Sequence, residues 1–172
     1  MTDYANDVKS QMHGSDITFV VNRNINYTNI CSFKCNFCAF SKGRGHDDLR
    51  GKPYNISHEE IIRRTNEAID RGATEVCLQG GIHPKYSGET YLEIVKAIRS
   101  ASPSIHIHAF SPLEIDHGRK TLNISTKEFL QELQKAGLNS LPGTAAEILY
   151  DDIREIICPD KLTSKQWVKI IE

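Results

Sequence analysis

Apolar and polar positions follow two rhythms along this chain. Near the N-terminus, Ile17-Thr-Phe-Val-Val21 is a β-branched and aromatic run that predicts a strand. Asn22-Arg-Asn24 reads as a turn, and Ile25-Asn-Tyr-Thr28 as the strand delivering the cysteine loop. Residues 1–16 carry no strong pattern and form a frayed or helical lead-in, while residues 41–56, rich in Gly, Asp, Lys and Pro, read as loop. From Ser57 the period lengthens. Ser57-His-Glu-Glu60 is a capping box followed by Ile61, Ile62, Thr65, Ala68 and Ile69 at helical spacing, up to Arg71-Gly72. Thr74-Glu-Val-Cys-Leu-Gln79 then predicts a strand, Tyr91, Ile94, Val95 and Ile98 a helix, and Ser104-Ile-His-Ile-His-Ala-Phe110 another strand. Ser125-Thr-Lys-Glu128 caps a helix that stops at Gly137, and Leu138-Asn-Ser-Leu141 is a fourth short strand of the sheet. Thr144-Ala-Ala-Glu147 reads as the cap of a helix reaching about Ile157, and Thr163-Ser-Lys-Gln166 opens a last one with Trp167, Ile170 and Ile171.

Short strands alternating with capped helices predict an α/β fold with a parallel sheet and outer helices, the N-terminal half of a (β/α) barrel over residues 17–172. A half-barrel would expose unpaired strand edges and an apolar face, so either two copies pair or the chain is a fragment of a longer one. The fragment is the expectation, because Glu172 falls inside an apolar-periodic helix without a C-cap.

Composition narrows the function classes. A net charge of −1 over 172 residues gives no electrostatic case for nucleic acid or an anionic membrane, and the basic run Lys42-Gly-Arg44-Gly reads as a solvated loop. No apolar run approaches the ~18 residues needed to span a bilayer, and the polar N-terminus lacks a signal-peptide pattern. A cytoplasmic protein with reduced thiols is expected. Five cysteines, three of them within eight residues, argue for metal or cluster binding over a disulfide framework.

Those three are Cys31, Cys35 and Cys38, with three residues and then two between them. Soft thiolates this close suit an iron–sulfur cluster, zinc or copper(I). Three ligands on a four-iron cluster leave one iron open to a small molecule. The alternative is a structural zinc site completed by a histidine such as His46, although His46 sits in no usual zinc-finger register. In parallel α/β folds chemistry gathers at the C-terminal strand ends. There lie Gln79-Gly-Gly-Ile-His83, His108-Ala-Phe-Ser-Pro-Leu-Glu114 and Ser140-Leu-Pro-Gly-Thr144. The Gly80-Gly81 backbone can approach a ligand closely, or simply make a tight turn. His106 and His108 share one strand face; each reads as a buried, hydrogen-bonded histidine or, for His108, as a group that binds substrate or moves a proton. His83 can shape the Gly-Gly turn. Cys77 and Cys158 read as small buried residues.

The spacing Cys31-x3-Cys35-x2-Cys38, with the aromatic Phe37 before the last cysteine, resembles the signature of radical S-adenosylmethionine (SAM) enzymes. That resemblance implies a [4Fe-4S] cluster on the three cysteines with SAM chelating the fourth iron, and reductive cleavage of SAM to methionine and a 5′-deoxyadenosyl radical. The superfamily's Gly-Gly-Glu element is here Gly80-Gly81-Ile82, so only its backbone role carries over. The cofactor-binding set implied is Phe37, Gly80, Gly81, Glu147 and Arg154. Glu147 either serves in its capping box or touches SAM; Arg154 either pairs with the SAM carboxylate or is a surface arginine.

A narrower resemblance rests on Asn22-Arg-Asn-Ile-Asn-Tyr-Thr-Asn-Ile-Cys31, Cys38-Ala-Phe40, Leu78-Gln-Gly-Gly-Ile-His-Pro84, His106-Ile-His-Ala-Phe-Ser-Pro112 and Ser140-Leu-Pro-Gly-Thr-Ala-Ala-Glu-Ile-Leu149. These are similar to the tyrosine-using half of FO synthase, a transferase of deazaflavin (coenzyme F-420) biosynthesis. The cyclic dehypoxanthine futalosine and aminofutalosine synthases of menaquinone biosynthesis are the alternative relatives. The FO synthase resemblance implies that a 4-hydroxybenzyl radical from L-tyrosine adds to 5-amino-6-(D-ribitylamino)uracil. A second radical SAM enzyme would close the ring and an electron donor would reduce the cluster. His108 and Glu114 are the catalytic candidates, with His83 and Ser111 beside them by strand-end position alone. Family members continue past this point, so an inactive truncated product or a zinc module remains the competing class.

Overall fold

The computed structural model of the chain describes residues 1–39 and 52–172. Phe40, the Lys42-Gly-Arg44-Gly loop and the alternative ligand His46 lie outside the described residues. Three parallel strands, β1 (Asn22–Asn26), β2 (Glu75–Gln79) and β3 (His106–Ala109), form a sheet in the order β1-β2-β3. Around it run α1 (Thr2–His13), α2 (His58–Asp70), α3 (Gly88–Ala101), α4 (Pro112–Leu122), α5 (Thr126–Ala136), α6 (Asp151–Ile157) and α7 (Ser164–Ile171).

The sheet begins later than the apolar pattern suggests. Ile17–Val21 form no strand and Ile17, Phe19 and Val20 are exposed, whereas the expected turn Asn22-Arg-Asn24 lies inside β1. The cause is alternation. Asn22, Asn24 and Asn26 fall on a sheet face that is polar throughout, while Ile25 between them is fully buried. Register partners repeat the division: Ile25 aligns with Leu78 and Ala109 toward the helices, and Asn24 aligns with Cys77 and His108 away from them.

The helices cover one face. Ser57 caps α2 by accepting from Glu60 N, and the α5 and α7 boxes at Ser125/Glu128 and Thr163/Gln166 form as their sequences predict. Ile61 and Ala68 of α2, Tyr91, Ile94, Val95 and Ile98 of α3, and Phe129 and Leu133 of α5 pack with Val76, Leu78 and Ile107 in one core. Helix α4 follows β3 directly, with Ser111 as N-cap, Pro112 in the first turn and Glu114 closing the box. Its Ser-x-x-Glu signature, hidden beside a strand end, is one the sequence reading passed over.

Two expectations change near the C-terminal end. The fourth strand is a single parallel bridge, Ser140 with His108. The helix expected from Thr144 starts only at Asp151 with Tyr150 as N-cap, and Ala145 and Glu147 take positive φ of 61° and 49°. Glu147 therefore caps nothing, and the segment before α6 is an irregular loop. The open sheet face is polar, and the exposed apolar side chains, Ile148, Leu149, Ile153 and Ile156 among them, lie off it.

Candidate active site

Every strand of the sheet ends at one rim, and the cysteine loop crosses it. β1 runs into Tyr27 and Thr28; Gly81 N donates to Thr28 O (2.9 Å), Ser32 N to Ile82 O (2.8 Å) and Ile82 N to Cys31 Sγ (3.3 Å). The cysteine loop and the Gly-Gly turn are thereby knitted into one unit. The two glycines are needed for closeness and not for a left-handed turn. A Cβ on Gly80 would stand 2.3 Å from the Tyr27 ring, and one on Gly81 would stand 2.4 Å from the Ile30 carbonyl oxygen and 2.9 Å from Cys31 Cβ.

A second unit holds the loop from its far side. Asn36 N donates to Ile157 O (2.9 Å), Asn36 Nδ2 to Ile156 O (2.6 Å) and Lys34 N to Asp160 Oδ2 (3.2 Å). Just beyond, Lys161 pairs with Glu147 at 2.6 Å and lies 5.3 Å from the Phe37 ring centroid. Lys161 is only 12% exposed. It is the functional candidate that sequence reasoning missed; nothing local marks it, since its neighbours arrive through the tertiary fold.

Cys31, Cys35, Phe37, Cys38, Gly80, Gly81, Glu114, Glu147 and Lys161 all line one cavity of about 200 Å³. Burial pushes the Cys35 thiol up to about 11, with Lys161 pulling the other way. The donor set fits a soft-metal cluster: three thiols on one cavity wall, with a cation nearby to balance the charge of the thiolates.

Glu114 is fully enclosed. Its Oε2 accepts from Ser111 N (2.7 Å) and Ser111 Oγ (2.6 Å), and its Oε1 accepts from Gly80 N (3.2 Å) and from the Tyr27 hydroxyl. Burial raises this carboxyl, against the pull of those four donors. Phe110, buried with φ of 68°, turns the chain from β3 into this cap.

His108 and Arg154 do not line the cavity. His108 Nδ1 and His106 Nε2 each stand 2.7 Å from Ser140 Oγ on the open sheet face. His106, whose side chain is 45% exposed there, is not a buried histidine. Arg154 is buried and makes four hydrogen bonds to main-chain carbonyls: two to Leu162 O (3.0 and 2.6 Å), one to Ile148 O (3.0 Å) and one to Ala146 O. It anchors the Glu147 loop and is no surface arginine. His83 Nδ1 accepts from Lys85 N (3.1 Å) and its ring stacks on Tyr86, so it shapes the turn after Gly81. Cys158 is buried as expected, whereas Cys77 is half-buried on the open face.

Comparisons with known proteins agree on the family. The chain is 46% identical over 167 residues to the 5-amino-6-(D-ribitylamino)uracil–L-tyrosine 4-hydroxyphenyl transferase of Methanopyrus kandleri, covering 97% of this chain and 44% of that protein. It is 45% identical over 171 residues to the FO synthase of Mycobacterium leprae, covering 99% of this chain and 19% of that one. The chain thus spans less than half the length of these curated relatives. Among solved structures, the FeFe-hydrogenase maturase HydG from Carboxydothermus hydrogenoformans superposes with a TM-score of 0.70 at 19% identity, over 97% of this chain and 35% of that one. Methylornithine synthase (PylB) gives 0.67 at 19%, over 98% and 44%. Those two likenesses speak for the shared parallel α/β fold alone. Residues 25–172 match the Radical SAM superfamily, and with the cysteine spacing and the Gly-Gly rim this establishes that the chain belongs to that superfamily.

Proposed function

We propose that the chain is the cluster- and SAM-binding part of a transferase that moves a 4-hydroxybenzyl group from L-tyrosine to 5-amino-6-(D-ribitylamino)uracil in deazaflavin biosynthesis. The observation that carries this reading is the single cavity shared by Cys31, Cys35, Cys38, Gly80 and Gly81, in a chain 46% identical to a transferase of that name. When bound, a [4Fe-4S] cluster with SAM supplies the radical chemistry. The chain's own residues hold and position.

Cys31, Cys35 and Cys38 are the cluster ligands in this proposal. The Gly80-Gly81 backbone, Phe37 and Glu147, which line the same cavity, would hold SAM. Glu114, enclosed and committed to four donors, positions Gly80 instead of touching substrate; it orders the rim through Tyr27 and Ser111. Arg154 acts through the carbonyls of the Glu147 loop. His108 stays off the cavity and has no assigned step. A second radical SAM enzyme that closes the ring, and an electron donor, are the partners this reading implies. Among the described residues no helix is long and apolar enough to cross a membrane; an oxygen-sensitive cluster on reduced thiols supports a cytoplasmic setting.

The test is anaerobic reconstitution of the chain. About four irons per chain and a reducible spectrum that changes on adding SAM are expected, with loss of both in Cys35→Ala. 5′-Deoxyadenosine formed only when tyrosine and the uracil are both present would carry the substrate assignment. One tightly held zinc and no reducible cluster would sink the reading.

A further inference from the structure

A second convergence of metal-binding atoms lies on the open face of the sheet. Glu75 and His106 are register partners across β2 and β3, and His108 stands two residues along on the same face. One ligand atom from each residue lies within 4.8 Å of the other two. The imidazoles already meet at a common point, the Ser140 hydroxyl, 2.7 Å from a ring nitrogen of each. Glu75 Oε2 is 3.9 Å from His106 Nε2. Donors roughly 2.1 Å from a tetrahedral zinc sit about 3.4 Å from one another, so small rotamer changes close the triangle. Glu75 and His106 open their strands, whereas the cysteine rim lies past the strand ends. Four strand steps lead from Glu75 to Gln79, roughly 13 Å.

We propose that Glu75, His106 and His108 bind a divalent transition ion of the zinc class, at a site separate from the cysteines. Two imidazoles and one carboxylate suit Zn²⁺, Co²⁺ or Ni²⁺, whereas Mg²⁺ and Ca²⁺ take oxygen ligands throughout. Backbone geometry sets the arrangement without help from loops. Strand alternation puts both histidines on one face, and the parallel register sets Glu75 beside His106. Ser140 is tied to β3 through its N–H to Ile107 O (3.2 Å), so its hydroxyl, which now holds those two ring nitrogens, is the oxygen that the ion would displace or take as a fourth donor. Cys77, aligned with His108 on the same face, is the competing soft donor. The proposal does not depend on the transferase reading.

Co²⁺ is the probe, added to the full chain carrying Cys31→Ala, Cys35→Ala and Cys38→Ala so that the clustered thiolates cannot compete. One equivalent binds, with weak visible bands of nitrogen–oxygen ligation, and His106→Ala or Glu75→Gln weakens binding on the order of 100-fold. Absence of saturable binding, binding indifferent to both substitutions, or an intense sulfur charge-transfer band placing the ion on Cys77 would each overturn the site. Should the triple variant not fold, metal analysis of the parent chain after anaerobic cluster loading decides. One zinc per chain beyond the iron, lost in His106→Ala, supports the site; zinc absent, or retained in His106→Ala, refutes it.

Discussion

Toward the helices, the three strands present Ile25, Val76, Leu78, Ile107 and Ala109, all completely buried. On the other face the same strands present Asn22, Asn24, Asn26, Glu75, Cys77, Gln79, His106 and His108, none of them buried. One residue of register separates the two sets, and a one-residue slip would exchange them. The apolar face is where stability resides, because its side chains leave water against α2 and α3. The polar face contributes little to folding and keeps its side chains available for ligands. The interiors of (β/α) barrels are filled mainly by branched apolar residues, and this polar face departs from that pattern.

Glu114, which ties α4 to Gly80 and Tyr27, should be the most sensitive point. Glu114→Ala would leave Gly80 N, Tyr27 OH and both Ser111 donors without their buried acceptor, and we expect a loss of about 4 kcal/mol in urea unfolding. On the helix side, Ile107→Ala should cost about 3 kcal/mol by the same measurement. A cost below about 1 kcal/mol would mean the helix layer is not packed as described.

The rim comes next. Gly81→Ala forces a methyl against the Ile30 carbonyl and Cys31, and should cost about 2 kcal/mol while cutting iron bound after reconstitution to a small fraction of the parent. Normal iron content in a folded Gly81→Ala chain would show that the rim does not position the cysteines. Cluster loading should also depend on pH. The Cys35 thiol, raised to about 11, must lose its proton to bind metal, so affinity should rise by up to about tenfold per pH unit between pH 7 and 9. A flat profile would mean that Cys35 is not a ligand or already carries its charge. The smallest effect belongs to the open face: in metal-free protein, His106→Ala should change stability by no more than about 0.5 kcal/mol. A cost like that of Ile107→Ala would erase the contrast between the faces.

The cysteine window was legible because its chemistry is local: three thiols within eight residues are neighbours in any fold. Helix caps were legible for the same reason, and Ser57, Ser125 and Thr163 all cap where their boxes predict. Strand β1 overlaps the expected strand at Ile25 and Asn26, but its start was misplaced because asparagines favour turns in isolation, and only a polar sheet face makes them strand residues. Thr144-Ala-Ala-Glu147 failed as a cap because Arg154 draws the Ala146 and Ile148 carbonyls into irregular backbone, an interaction that outweighs a local propensity.

Sequence alone therefore determined the clustering of the three cysteines, the alternation of parallel strands with helices and the family, all of which follow from short-range spacing. Tertiary structure decided which distant side chains share the cavity. Lys161 and Glu147 meet Phe37 across more than a hundred residues of chain. Glu114 closes on Gly80, just past the end of β2, from α4, and Arg154 turns away to backbone carbonyls. No local pattern encodes those meetings, because they are set by how the strand ends converge and by which buried groups must find a hydrogen-bond partner there.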